Sequence, residues 1–182
     1  MKKFYAGIGS RETPESIRPT IQAIVQFLHG EGYTMRSGGA PGADEMFETA
    51  HPDKAMRDIY LPWYCFQSNY SPLCIVTEEA IQFSLQFHPN PSALKQQGAR
   101  QLMGRNAYQV LGLDLKTKAD FLVCWTPNGA DSDSDASVIR NSGGTGQAMR
   151  IAKAYGIKFW NLKNGGIEDF KKWYCDNNFD IM

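Results

Sequence analysis

The sequence has no surplus of charge, since nineteen basic side chains balance nineteen acidic ones across 182 residues. Strong nonspecific binding of duplex DNA normally comes with a basic excess, so the balance disfavours that class while leaving room for a local basic patch. Cysteine is scarce and scattered. Cys65, Cys74, Cys124 and Cys175 form no CxxC pair and no tight cluster with histidine, which argues against structural zinc. Cys124 sits inside the apolar run 121–125 and reads as a small buried hydrophobe. The three histidines, His29, His51 and His88, are spread along the chain, and none pairs with a serine or cysteine at a glycine loop, so a hydrolytic triad has no support. The acidic run Asp131, Asp133, Asp135 lacks the glycine and terminal glutamate of a calcium loop. No metal and no cofactor is expected. Long apolar runs are missing too. Nothing approaches the roughly 18 residues that cross a bilayer, and the apolar stretch after Lys2-Lys3 is too short for a signal peptide. The expectation is a cytoplasmic protein with reduced thiols and no membrane partner.

What the sequence does contain is a regular alternation. Short apolar runs alternate with amphipathic stretches, the pattern of βαβ units and a mainly parallel sheet. Strands are expected at 4–8, 33–36, 58–61, 119–125 and 157–162. Helices are expected from Thr13, as N-cap with Pro14 in the first position, through Leu28, and then up to His51. Further helices are expected over 77–87, 94–113, 143–155 and 167–175. The polar segment 128–142 reads as a mobile loop. With no repeat and no linker, residues 1–182 are read as one α/β domain, a Rossmann-like three-layer sandwich with a mainly parallel sheet of five or more strands. The aromatic-rich stretch 64–87 is more apolar than a monomer's loop requires, so a homodimer or higher homo-oligomer is expected.

Three glycine-bearing loops fall at the carboxyl ends of expected strands and lead into helices. They are Gly7-Ile8-Gly9-Ser10-Arg11, Ser37-Gly38-Gly39-Ala40-Pro41-Gly42-Ala43-Asp44 and Ser142-Gly143-Gly144-Thr145-Gly146-Gln147. In open parallel sheets ligands bind beyond the strand carboxyl ends, where strand order reverses. A helix start offers unpaired N–H groups and a positive dipole end to an anion, and glycine lets the backbone approach it closely. One such loop is usually a plain turn; three converging on one sheet edge point to a phosphate-bearing ligand. Arg11 and Arg36 stand beside two of the loops, and Arg36 is expected to offer a bidentate phosphate donor at the site mouth. Arg105 lies on the helix that feeds the fourth strand. Asp44, in the first turn of its helix, is either a capping residue or an acceptor for a ribose or base.

Taken in order, Gly9-Ser10-Arg11, Arg36-Ser37-Gly38-Gly39-Ala40 with Asp44, Arg105-Asn106 and Ser142-Gly143-Gly144-Thr145-Gly146 resemble the Rossmann core of the DNA-processing protein A (Smf) family. That family belongs to a superfamily with the lonely-guy nucleosidases and the nucleotide-sensing domains of bacterial defence proteins. The resemblance implies a parallel sheet with a pocket lined by the glycine loops. In the DNA-processing branch the pocket region binds single-stranded DNA that is handed to a recombinase. In the nucleosidase branch it cleaves the N-glycosidic bond of a nucleoside monophosphate, and in the defence branch it senses a nucleotide. The catalytic glutamate of the nucleosidase motif is Arg150 here, and the motif's arginine–lysine pair is Arg105-Asn106. Glu45 and Glu48 are the candidate substitute carboxylates, with exposed helix positions as their plainer reading. Trp63, Tyr64, Phe66, Tyr70 and Trp125 are candidates for stacking on bases. The leading reading is a nonenzymatic binder of single-stranded DNA or a nucleotide. Its rivals are a nucleotide N-glycosidase or deoxyribosyltransferase, and a nucleotide-signal sensor or sponge.

Overall fold

In the computed structural model, which describes residues 2–177 and 179, five parallel strands form one sheet with helices on both faces. The strands are β1 (Lys3–Gly9), β2 (Tyr33–Ser37), β3 (Arg57–Ile59), β4 (Phe121–Trp125) and β5 (Lys158–Asn161), in the spatial order β3-β2-β1-β4-β5. The chain runs outward from β1 through β2 to β3, then crosses back to place β4 on the other side of β1. The order therefore reverses between β1 and β4. Both strands are buried on both faces, as expected of central strands in a helix-covered parallel sheet.

Helices α1 (Arg18–Gly30), α2 (Ala43–Ala50) and α7 (Ile167–Asp176) cover one face. Ile21, Ile24, Val25 and Leu28 recur at helical spacing and pack with Met46, Phe47, Phe170 and Tyr174 over Tyr5, Tyr33, Met35 and Phe121. The other face carries α4 (Gln97–Leu111) and α6 (Thr145–Ala154), whose Ala107, Val110, Ala148 and Ile151 pack over Ala6, Ile8, Leu122 and Phe159. Helix α3 (Glu78–Leu85) lies against α4, with Ala80 meeting Tyr108 and Tyr60. Cys124 is fully buried and its thiol pKa is pushed up by that burial.

Two local expectations need correction. Thr13 does not cap α1. Its hydroxyl donates to the Ser10 carbonyl at 2.7 Å, a 3-10 turn occupies Glu15–Ile17, and Pro19 rather than Pro14 lies in the first turn of the α-helix. The polar segment 128–142 is not a bare loop. It contains the short helix α5 (Ala136–Arg140), held by buried Ile139, and Asn128 ties the segment's two ends together by donating to the Ser142 hydroxyl at 3.1 Å.

Candidate functional site

At the β1/β4 reversal the two strands continue as a paired turn, with the Ser10 N–H donating to the Trp125 carbonyl at 3.0 Å. The Ser10 carbonyl then receives the N–H groups of Thr13 and Ala43 as well as the Thr13 hydroxyl, which fixes the first glycine loop against the start of α2. This closeness requires Gly42. Its φ is +86°, and a β-carbon there would lie 2.5 Å from the Ser10 carbonyl oxygen.

Below this turn lies a buried polar cluster. Asp44 Oδ1 accepts from the Gly9 N–H at 3.1 Å, while Oδ2 accepts from Arg105 Nη1 at 3.1 Å and Gln109 Nε2 at 3.4 Å. Arg105 reaches Asp44 across Gly38, whose missing side chain leaves the path open: a β-carbon there would overlap Arg105 Nη1. Burial raises the pKa of Asp44 and lowers that of Arg105, against the attraction between them. Taking both charges out of water thus opposes the pairing, so the pair sets the geometry of the wall more than it stabilises the fold. Arg105 Nε is buried without a hydrogen-bond partner among the described residues.

The far wall is the third glycine loop, held to α4 by Asn106 Nδ2 donating to the Gly144 carbonyl at 3.2 Å. Between the walls is a cleft of about 500 Å³. Gly9, Ser10, Arg11, Ala40, Asp44, Arg105, Asn106, Gly143, Gly144 and Thr145 all line it, so ten of the residues singled out from the sequence meet around one space. Ile8, Leu102, Met103 and Ala148 add apolar surface. The start of α6 lines the cleft through Gly144 and Thr145 and has no side-chain cap among the described residues, whereas the first turn of α2 is already engaged, Ala43 N–H by the Ser10 carbonyl and Glu45 N–H by the Ala40 carbonyl. The result is a cavity with a helix amino end, two arginines and an apolar wall, a combination suited to an anionic group attached to an apolar one.

The remaining expected residues lie elsewhere. Arg36 is not at the mouth. Its side chain projects to the face opposite Met35, where Nη1 donates to the Thr117 carbonyl at 2.6 Å and the guanidinium lies 3.8 Å from the centre of the Phe4 ring. Strand alternation decides this, because Arg36 is in register with Ala6 and Asp58 and shares their face. Ser37 is buried and donates to the Gly7 carbonyl at 2.7 Å; Gly38 and Gly39 lie behind the wall, against Arg105 and Leu61. Gly146 packs on α5, and Gln147 donates to the Ser84 carbonyl at 2.6 Å while accepting from Arg150 at 2.7 Å. Glu45 pairs with Arg18 at 3.1 Å and Glu48 accepts from Asn69 at 2.8 Å, so neither carboxylate lines the cleft. Of the aromatic candidates, Phe66 and Trp125 are buried, whereas Trp63, Tyr64 and Tyr70 are exposed.

The sequence reading missed Glu12, Leu102, Met103, Gln109 and Asn141, all of which line the cleft. A signal existed for the α4 members. Leu102, Arg105, Asn106 and Gln109 recur at steps of three and four, which places them on one helical face.

The sequence matches no family model, and no curated protein matches it. Among solved structures, DNA processing protein A from Helicobacter pylori, described for its single-stranded DNA binding mode, aligns with a TM-score of 0.53. The identity is 16%, and the match covers 96% of this chain and 81% of that one. The chain therefore has a fold like that of DNA processing protein A. Among the described residues, no helix is long and apolar enough to cross a membrane.

Proposed function

We propose that the chain binds a phosphate-bearing nucleic-acid ligand, single-stranded DNA or a nucleotide, in the cleft at the β1/β4 reversal. One observation carries this reading: the start of α6, Arg11 and Arg105 converge on a single cavity at the point where the strand order turns back. The fold shared with a protein that binds single-stranded DNA supports the same ligand class. Binding rather than cleavage is favoured because Glu45 and Glu48 are engaged outside the cleft. Of the two acidic residues that line the cleft, Asp44 is held by Gly9, Arg105 and Gln109, and Glu12 is exposed to solvent.

A thermal-shift series tests the reading, since a ligand that binds only the folded state raises its midpoint. Nucleoside monophosphates, cyclic dinucleotides and oligo-thymidylate are compared with unphosphorylated nucleosides. Stabilisation by a phosphate-bearing ligand and none by its nucleoside is expected. The absence of a shift with every phosphate-bearing ligand rejects the proposal. Release of free base from a monophosphate, abolished in Asp44→Asn, would instead make the protein a glycosidase.

A further inference from the structure

Outside the cleft, the most unusual surface is the segment that follows β3. Trp63, Tyr64 and Tyr70 are 39%, 69% and 69% exposed. Their exposure is built in by a pinned turn. Phe66 is buried beneath Trp63, with ring centres 5.1 Å apart, and Tyr64 and Tyr70 meet edge-on at 6.3 Å. Asn69 is held by Glu48, and the Ser71 hydroxyl donates to the Ile59 carbonyl at 2.6 Å. Cys65, Gln67 and Ser68 have φ of +60°, +52° and +59°, a region that residues other than glycine seldom enter. Backbone held in such a conformation while presenting apolar rings to water marks a site rather than a simple connection.

Trp63 is the ring that points the shelf toward the cleft. The Trp63 ring lies beside Gly98 in the first turn of α4, and Leu102, about one helical turn further on, lines the cleft. Nor does the segment repel a polyanion, because the sequence from Leu61 to Val76 contains no charged residue. Aromatic rings beside a phosphate-binding cleft suit nucleobases, which stack without regard to sequence.

We propose that Trp63, Tyr64 and Tyr70 form a stacking shelf for the bases of a single-stranded nucleic acid whose neighbouring nucleotide occupies the cleft. The inference rests on the cleft reading above and deepens it, because it makes a strand of several nucleotides the preferred ligand. A mononucleotide reaches only the cleft.

The test is fluorescence anisotropy with labelled oligo-thymidylates of two to eight residues, alongside competition by thymidine monophosphate. Wild-type protein is compared with Trp63→Ala, Tyr64→Ala and Tyr70→Ala. In the wild type, affinity rises with strand length. Each substitution weakens the longer strands by about 5- to 150-fold and leaves the monophosphate unaffected, the loss expected for one stacked base. Trp63→Phe, which keeps a ring, retains affinity. An octamer abasic outside its first residue binds all of these proteins equally. Unchanged length dependence in the three alanine variants overturns the shelf while leaving the cleft standing. A drop in mass by light scattering with no change in DNA affinity overturns it as well, and identifies the rings as a contact between copies of the chain. If neither monophosphate nor oligonucleotide binds the wild type, the cleft reading fails and takes the shelf with it.

Discussion

The guanidinium of Arg105 occupies the space that a side chain on Gly38 would fill, and through that space it reaches Asp44 at 3.1 Å. A glycine that looked like part of a phosphate loop is thus a passage for an arginine. The account expects Gly38→Ala to push Arg105 off Asp44. Overpacking at such a site costs about 1–3 kcal/mol, readable as a lower urea midpoint. Because the displaced arginine forms the cleft wall, ligand affinity falls as well.

Asp44→Asn separates shape from charge. Asparagine keeps an acceptor for the Gly9 N–H but leaves Arg105 buried without its counter-charge. Removing one partner of a buried ion pair destabilises by about 3–5 kcal/mol. The same change removes a negative charge from the cleft wall, so the folded variant binds anionic ligand more tightly than wild type. Denaturation and titration on one preparation check both directions. A variant that is less stable and also binds more weakly contradicts the electrostatic part of the account.

Arg36→Ala is expected to do the opposite of what its place in the sequence suggests. It removes a charge-assisted bond to the Thr117 carbonyl and the contact with the Phe4 ring, a loss of about 1.5–3 kcal/mol of stability. Affinity for oligo-thymidylate stays at the wild-type value, measured at a temperature where both proteins are folded. A clear loss of affinity would return Arg36 to the site.

How far the sequence carried the site follows from these residues. The strands and the three loops were legible because apolar runs, glycines and helix starts are local signals. The destination of Arg36 was not, because position 36 alternates with Met35 and nothing local says which sheet face each takes. Gln109 shares a helical face with Leu102, Arg105 and Asn106, but nothing local says that this face turns toward Asp44, 65 residues away. Helix α5 was hidden by its serine- and aspartate-rich surroundings, with Val138 and Ile139 its only branched apolar residues. The fold was mostly a local matter; the cleft wall was not.

Acid titration supplies a check remote from the cleft. The backbone N–H groups of Thr117 and Lys116, followed by the Thr117 hydroxyl, lower the Asp114 pKa to about 2. A carboxylate whose folded pKa lies below its unfolded value, about 3.9, stabilises the fold fully above that value and loses the effect as pH falls toward the folded one. Asp114→Ala is therefore expected to be less stable than wild type at neutral pH, with the gap closing between about pH 4 and pH 2. Paired urea titrations across that window check it, and a gap that stays constant in acid contradicts the assignment.

The central claim is that one cleft, made by the first and third glycine loops at the β1/β4 reversal, holds the ligand's phosphate. Backbone amide shift mapping of labelled protein during titration with oligo-thymidylate tests it most directly. The account predicts that the amides of Ser10, Arg11, Gly143, Gly144 and Thr145 move together and saturate with one affinity, while those of Gly30, Gly32 and Gly156, remote from the cleft lining, stay fixed. Saturable shifts confined to another surface, with the two loops unmoved, would contradict it.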